Sequence, residues 1–385
     1  MSRGLVIGIV GAAAIVTLRP ALADGDKTER NFAGSIQLDY LAVPTEDVAR
    51  NIGAFDAATV EASLKVTQDF GDNLSASVKL CYGCHGFETA MAFFDLRVAD
   101  ELSFRVGRFT PQFGAFPVRS DTANHRTSDK PLPYDMGRML RMNDFNLGIL
   151  PSPWVDNGIE LAGAHFFSQA VQLDYAASAI GGPRAGTDAS DFDYKQSRSG
   201  EAYYVDNNSR PSFTGRVALN VVHDRTIVTA GVSGMAGTYD PANRLKYQIV
   251  GADLQVEISR VFLRAEYLVR RTQMALTDDP VARFKYGPGK NGKYDPYFLK
   301  SGWYAELEAP LTDRIDLIGR WDGLRRQGNV LRTSALREDS ALLRYTLGTS
   351  VRIKGATRVK LSGEFYDFSD FDDEIAVHLA LVGAL

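Results

Sequence analysis

Residues 343–368, LRYTLGTSVRIKGATRVKLSGEFYDF, hold two runs in which apolar and polar side chains alternate, joined at Lys354-Gly355-Ala356. In the first run Tyr345, Leu347, Thr349, Val351 and Ile353 oppose Arg344, Thr346, Gly348, Ser350 and Arg352. In the second, Val359, Leu361, Gly363 and Phe365 oppose Arg358, Lys360, Ser362, Glu364 and Tyr366. A period of two is the mark of a β-strand, whose successive side chains point to opposite faces. The polar face is too rich in charge to be a packed core. The pattern recurs in RIDLIGRWDG (residues 314–323), where Ile315, Leu317, Gly319 and Trp321 alternate with Arg314, Asp316, Ile318, Arg320 and Asp322.

A soluble sandwich also alternates, but it turns the apolar face inward against a second sheet. A transmembrane barrel reverses the sense, with apolar residues toward lipid and a charged lumen. The connections separate the two. Short turns at 71–73, 99–101, 168–170, 223–225, 258–260, 311–313 and 354–356 alternate with longer irregular stretches at 115–158, 181–209, 275–300 and 328–340. Outer-membrane barrels alternate short periplasmic turns with long outer loops in this way, and about sixteen strands, an even number, fit between these connections. The last of them, IAVHLALVGAL (residues 375–385), runs to the chain end, as a closing strand does in a barrel that leaves no edge in lipid. The expected fold class is all-β: a single antiparallel transmembrane barrel in the outer membrane of a Gram-negative bacterium.

The chain has 385 residues and a net charge of −4, so it carries no basic excess and nucleic acid is not an expected partner. Its first residues, MSRGLVIGIVGAAAIVTLRPALADG, combine Arg3, an apolar run over residues 4–18 and the small-residue pattern Ala21-Leu22-Ala23. They read as a signal peptide over residues 1–23, leaving 24–385 as a barrel in an exported, oxidising setting. No later stretch approaches the ~18 apolar residues of a transmembrane helix. No Ser/His/Asp arrangement stands out, and no enzymatic activity is expected.

The stretch LSFRVGRFTPQFGAF (residues 102–116), followed by a long irregular segment, resembles a strand motif of the phosphate-selective porin O and P family. Residues 254–271, 302–313 and 343–368 resemble that family's successive closing hairpins. The resemblance implies a sixteen-stranded porin, commonly a homotrimer, through which small solutes or anions diffuse. It also implies that the loop after the fifth strand, about 115–158, folds into the lumen as a constriction. One departure is the final Leu385, where such barrels usually end in phenylalanine. At the constriction Arg119, Arg126, Arg138 and Arg141 stand against Asp121, Asp129 and Asp135, and Lys79 and Arg105 are expected to add pore-lining positive charge from neighbouring strands.

The two cysteines of the chain stand together in CYGCH, residues 81–85. Three chemistries suit Cys81, Cys84 and His85: covalent attachment of one c-type haem with His85 as proximal iron ligand, a disulfide, or part of a zinc site. The pentapeptide also resembles the haem-attachment motif of c-type cytochromes. Zinc would need a further ligand, and a disulfide does not explain the histidine. Counting strands from a periplasmic entry puts residues 81–85 at the outer end of the third strand, with Ser75, Ser77, Lys79 and Cys81 facing the lumen. Candidates for a distal iron ligand are His125 and the methionines Met136, Met139 and Met142, spaced by three. A haem at the outer mouth leaves much of the ~30 Å membrane uncrossed, so electron transfer would need a partner such as a periplasmic cytochrome. The alternative is a passive diffusion porin with a Cys81–Cys84 disulfide and no haem.

Overall fold

The computed structural model describes residues 29–43, 58–83, 86–135, 148–193 and 206–385. The expected signal peptide, Cys84, His85, the three methionines of the constriction segment, Arg138 and Arg141 lie outside the described residues. The strands are β1 (Arg30–Ala42), β2 (Ala58–Phe70), β3 (Leu74–Gly83), β4 (Gly86–Ala99), β5 (Leu102–Phe109), β6 (Asp156–Ser168), β7 (Val171–Ile180) and β8 (Ser212–His223). They continue with β9 (Thr226–Thr238), β10 (Lys246–Ile258), β11 (Val261–Gln273), β12 (Tyr297–Pro310), β13 (Ile315–Gln327), β14 (Asp339–Lys354), β15 (Thr357–Phe368) and β16 (Glu374–Ala384). Every strand pairs antiparallel with its chain neighbours, and β1 closes on β16 from Ser35↔Ala384 to Ala42↔Val377.

The seven short connections expected from sequence all separate consecutive strands at one end of the barrel. Two of them turn on a glycine with positive φ, Gly71 (72°) and Gly355 (55°), a conformation that costs an L-residue its Cβ clearance. The long connections gather at the other end.

Alternation assigns the faces. Leu317, Trp321, Tyr345, Leu347, Leu361 and Phe365 point outward and are exposed, whereas Arg320, Arg344, Lys360 and Glu364 are buried inside. The outward apolar band is what hydrocarbon requires. It carries an aromatic row across four adjacent strands: Trp303 and Trp321 meet edge to face at 4.7 Å, Trp321 stacks on Tyr345 at 5.9 Å, and Tyr345 lies 6.4 Å from Phe365.

The interior is not polar throughout, as the alternation alone implies. Inward-facing Tyr247, Ile249, Leu268, Leu324 and Leu342 pack with Phe109, Phe113, Phe116, Tyr134, Ile149 and Trp154 into an apolar cluster inside the barrel. The cause is the segment between β5 and β6, which enters the lumen and takes water away from the wall it covers.

Leu347 stands near the middle of β14 and is 74% exposed on the lipid face. Leu347→Arg is expected to cost about 2–4 kcal/mol, whereas Ile353→Arg near the strand end costs about 0–1 kcal/mol. Denaturant midpoints of the lipid-embedded protein check this depth dependence.

Candidate functional site: a luminal constriction

Residues 110–135 leave β5 at the long-loop end and enter the lumen, because their backbone amides and charges find partners on the opposite wall. Glu266 on β11 is the first anchor. Its carboxylate accepts from the amides of Ala115 (3.1 Å) and Phe116 (2.6 Å) and from the hydroxyls of Tyr134 and Tyr304 (2.6 Å each). Burial, with the Glu266 carboxylate beside it, pushes the Tyr134 hydroxyl well above its ordinary pKa, so it stays a donor. Gly114 sits at φ 66°, and a Cβ there would collide with the Tyr134 hydroxyl and the Glu266 carboxylate. Phe116 stacks on Tyr134 with ring centres 5.3 Å apart.

A second anchor is a knot of buried ions. Arg344 on β14 binds Asp322 of β13 (2.6 Å), the Lys130 carbonyl (2.6 Å) and Asp129, with Asp135 at 3.4 Å and Glu364 of β15 at 3.5 Å. Arg320 binds Asp129 (2.8 Å), the Thr127 hydroxyl (2.9 Å) and Asp322 (3.2 Å). Although burial opposes ionisation, the two guanidiniums hold the Asp129 carboxyl far below the usual carboxylate range. Burial pushes Asp135 the other way, up to about 6, since Arg344 is already committed to Asp129. Lys360 of β15 donates to the carbonyls of Thr122 (2.6 Å) and Thr127 (3.1 Å).

The third anchor reaches the strands nearest the cysteine. Asp121 binds Lys79 of β3 (3.0 Å) and accepts from Ser35 of β1 (2.6 Å) and Ser63 of β2 (3.0 Å). Burial works against its charge, but Lys79, Ser35 and the Ala123 amide prevail and hold its pKa at about 2, below the ordinary 3.8. The loop is thus tied to both halves of the barrel.

Each described residue of the expected site has a definite place. Arg105 bridges Asp95 (2.6 Å) and Glu160 (3.0 Å), Arg126 pairs with Glu308 (2.9 Å), and Arg119 lies 4.0 Å from Glu306. The expected pore-lining cations that are described therefore all stand beside carboxylates. His125 is not solvated, as a polar loop position suggests, but only 3% exposed. Its Nδ1 lies 2.9 Å from the Thr127 carbonyl, and its ring is 5.9 Å from that of Phe116. Burial and the cations Lys360, Lys130, Arg119 and Arg320 hold its pKa well below the ordinary value, which keeps it neutral.

Cys81 lies on β3 opposite Ser63 and lines a luminal cavity of about 110 Å³ with Glu61, Lys79, Glu88 and Asp121. That volume holds a few waters. A haem macrocycle does not fit a cavity of that volume. Gly83 and Gly86 are register partners at the facing ends of β3 and β4.

The alternation in 314–323 and 343–368 puts Asp322, Arg344, Lys360 and Glu364 on the polar face, but it does not reveal that the loop is anchored on them.

The sequence matches no family model, and no curated protein matches it. The fold is similar to the outer membrane channel DcaP of Acinetobacter baumannii, at TM-score 0.54 and 10% identity over 94% of this chain and 100% of that one. It is similar to OmpF of Salmonella typhi in a complex with daunomycin, at 0.54 and 9% over 92% and 97% of the two chains. It is also similar to a loop-deletion form of OmpT, an outer membrane protein of Vibrio cholerae, at 0.53 and 10% over 94% and 100%.

Because the folded Asp121 carboxyl titrates near 2 and the unfolded one near 3.8, its stabilisation is present above 3.8 and fades as pH falls toward 2. Asp121→Asn is expected to cost about 2 kcal/mol at neutral pH, and the gap to the native chain closes between about pH 4 and pH 2. Unfolding midpoints measured across that range check it. The closed sixteen-strand antiparallel barrel, with its apolar belt and inserted loop, has the architecture of the porin-type barrels of the Gram-negative outer membrane.

Proposed function

We propose that this chain is a passive outer-membrane channel for small hydrophilic solutes, in which residues 110–135 form the constriction. The observation that carries this reading is the three-point anchoring of that segment, to Glu266, to the Arg320–Arg344 knot and to Lys79 with Ser35 and Ser63. A loop held only at its ends would collapse or drift. One pinned by hydrogen-bonded charges across the lumen sets a fixed aperture. Removing one member of such a buried ion cluster leaves uncompensated charge and costs about 3–5 kcal/mol.

Planar-bilayer recording tests the reading. The purified protein is expected to give discrete, voltage-independent conductance steps, and correctly folded protein that inserts without conducting would overturn it. Gly114→Ala, which drives a Cβ into Tyr134 and Glu266, is expected to yield larger and noisier steps because it frees one loop anchor.

A second reading is a single covalent haem c on Cys81, Cys84 and His85, serving electron transfer with a periplasmic partner. It is favoured by the motif alone, because the cavity beside Cys81 is too small for the macrocycle. A pyridine haemochrome spectrum of the purified protein showing the c-type band would support it. An intact mass equal to that of the bare mature chain, or two hydrogens less, would exclude it.

A further inference from the structure

At the long-loop end the outward face of the barrel is sorted by charge. Outward positions near that end hold Ala179, Phe213 and Ala236 on β7–β9 and the acids Asp339 and Asp367 on β14 and β15. Between these sectors, on β10 and β11, stand two exposed cations, Lys246 and Arg271. A third, Arg325 on β13, is already paired with Asp339 at 2.5 Å.

Gln248 stands directly opposite Arg271 in the β10–β11 register, so Lys246, two residues along on the same face, is a diagonal neighbour of Arg271. Such neighbours are ~7–8 Å apart, within reach of long side chains, and two cations so placed repel. Among the described residues no carboxylate lies within ion-pair distance of either. Their outward surroundings are the amide of Gln248 and the apolar Leu299, with Gln327 one strand further on. The Arg271 guanidinium lies 3.8 Å from the centre of the Tyr297 ring. Stacking holds one face of the guanidinium plane and leaves its N–H donors, which lie in that plane, open to a ligand. Toward the middle of the barrel the same two faces turn apolar, with Val250 and Leu254 on β10 and Tyr267 on β11 exposed. The two cations therefore stand at the border of the apolar band.

We infer that Lys246 and Arg271 form a site for the phosphate of a lipid headgroup in the outer leaflet. The long loops of an outer-membrane barrel face outward from the cell, so this border lies among outer-leaflet headgroups. Both side chains point away from the lumen, and the phosphate within their reach is one carried by a lipid. Its oxygens accept from the Arg271 fork, and its negative charge removes the repulsion between Arg271 and Lys246. The acyl chains of that lipid then lie against Val250, Leu254 and Tyr267. The inference needs the barrel and its orientation in the membrane, and it stands apart from the channel reading.

The test is binding of diphosphoryl lipid A, a phosphorylated glycolipid, to the purified protein in detergent, followed by native mass spectrometry. The double variant Lys246→Gln with Arg271→Gln is expected to bind about thirtyfold more weakly, about fivefold for each cation lost beside a lipid surface. Arg260→Gln, at the short-turn end where Arg260 pairs with Asp313, should bind as the native chain does. Lipid A stripped of its phosphates should bind native protein and double variant alike. Heat-modifiable mobility on gels confirms that each variant is folded. Unchanged affinity in the double variant, an equal loss in Arg260→Gln, or a loss that persists with the stripped lipid would overturn the inference. Displacement of the lipid by millimolar inorganic phosphate at constant ionic strength would also overturn it, since the site would then be one for free anions.

Discussion

In hydrocarbon a backbone amide or carbonyl without a partner costs several kcal/mol, and no water is at hand to supply one. That constraint governs this molecule. It requires β1 to meet β16, and the pairing of Ser35–Ala42 with Val377–Ala384 closes the ring. Closure in turn makes every side chain choose between lipid and lumen, with no edge left over. The outward apolar band, the aromatic row from Trp303 to Phe365 and the inward charges of β13–β15 all follow from the one requirement.

A closed ring of sixteen strands is wider than its own side chains fill, which leaves room inside it. Residues 110–135 take up part of that room and displace water from the wall they cover. Where they lie against the wall, apolar side chains such as Ile249 and Leu268 are fully buried, and charges meet in fixed pairs such as Arg344 with Asp322 and Arg320 with Asp129. Burial makes each of those charges costly alone and tightly bound together, which turns a flexible connection into a positioned one. Along β2–β5 the inward side chains keep partial contact with water, and the loop touches that wall through Asp121 on Ser63 and Lys79.

Much of this was legible before any coordinates. The alternation in 343–368 assigned each residue from Arg344 to Ser350, and from Arg358 to Tyr366, to the side on which it is found. All seven short turns fall where expected, because turn chemistry acts over a few residues, whereas the strand ends are set by pairing with a neighbour. His125 stands in a polar stretch of the chain, and only the structure shows that it is buried, with Phe116 and Lys360 beside it.

By itself the sequence determined that the chain is a barrel, how many strands it has, which face of each strand meets lipid and which connections are long, because all of these follow from a period of two and from turn chemistry that act over a few residues. Only the tertiary structure decided which carboxylate each cation meets, where the inserted loop lies and which part of the wall stays wet. Those outcomes are set by contacts between residues up to hundreds of positions apart, such as Arg344 with Lys130 and Lys360 with Thr122, and no local pattern encodes them.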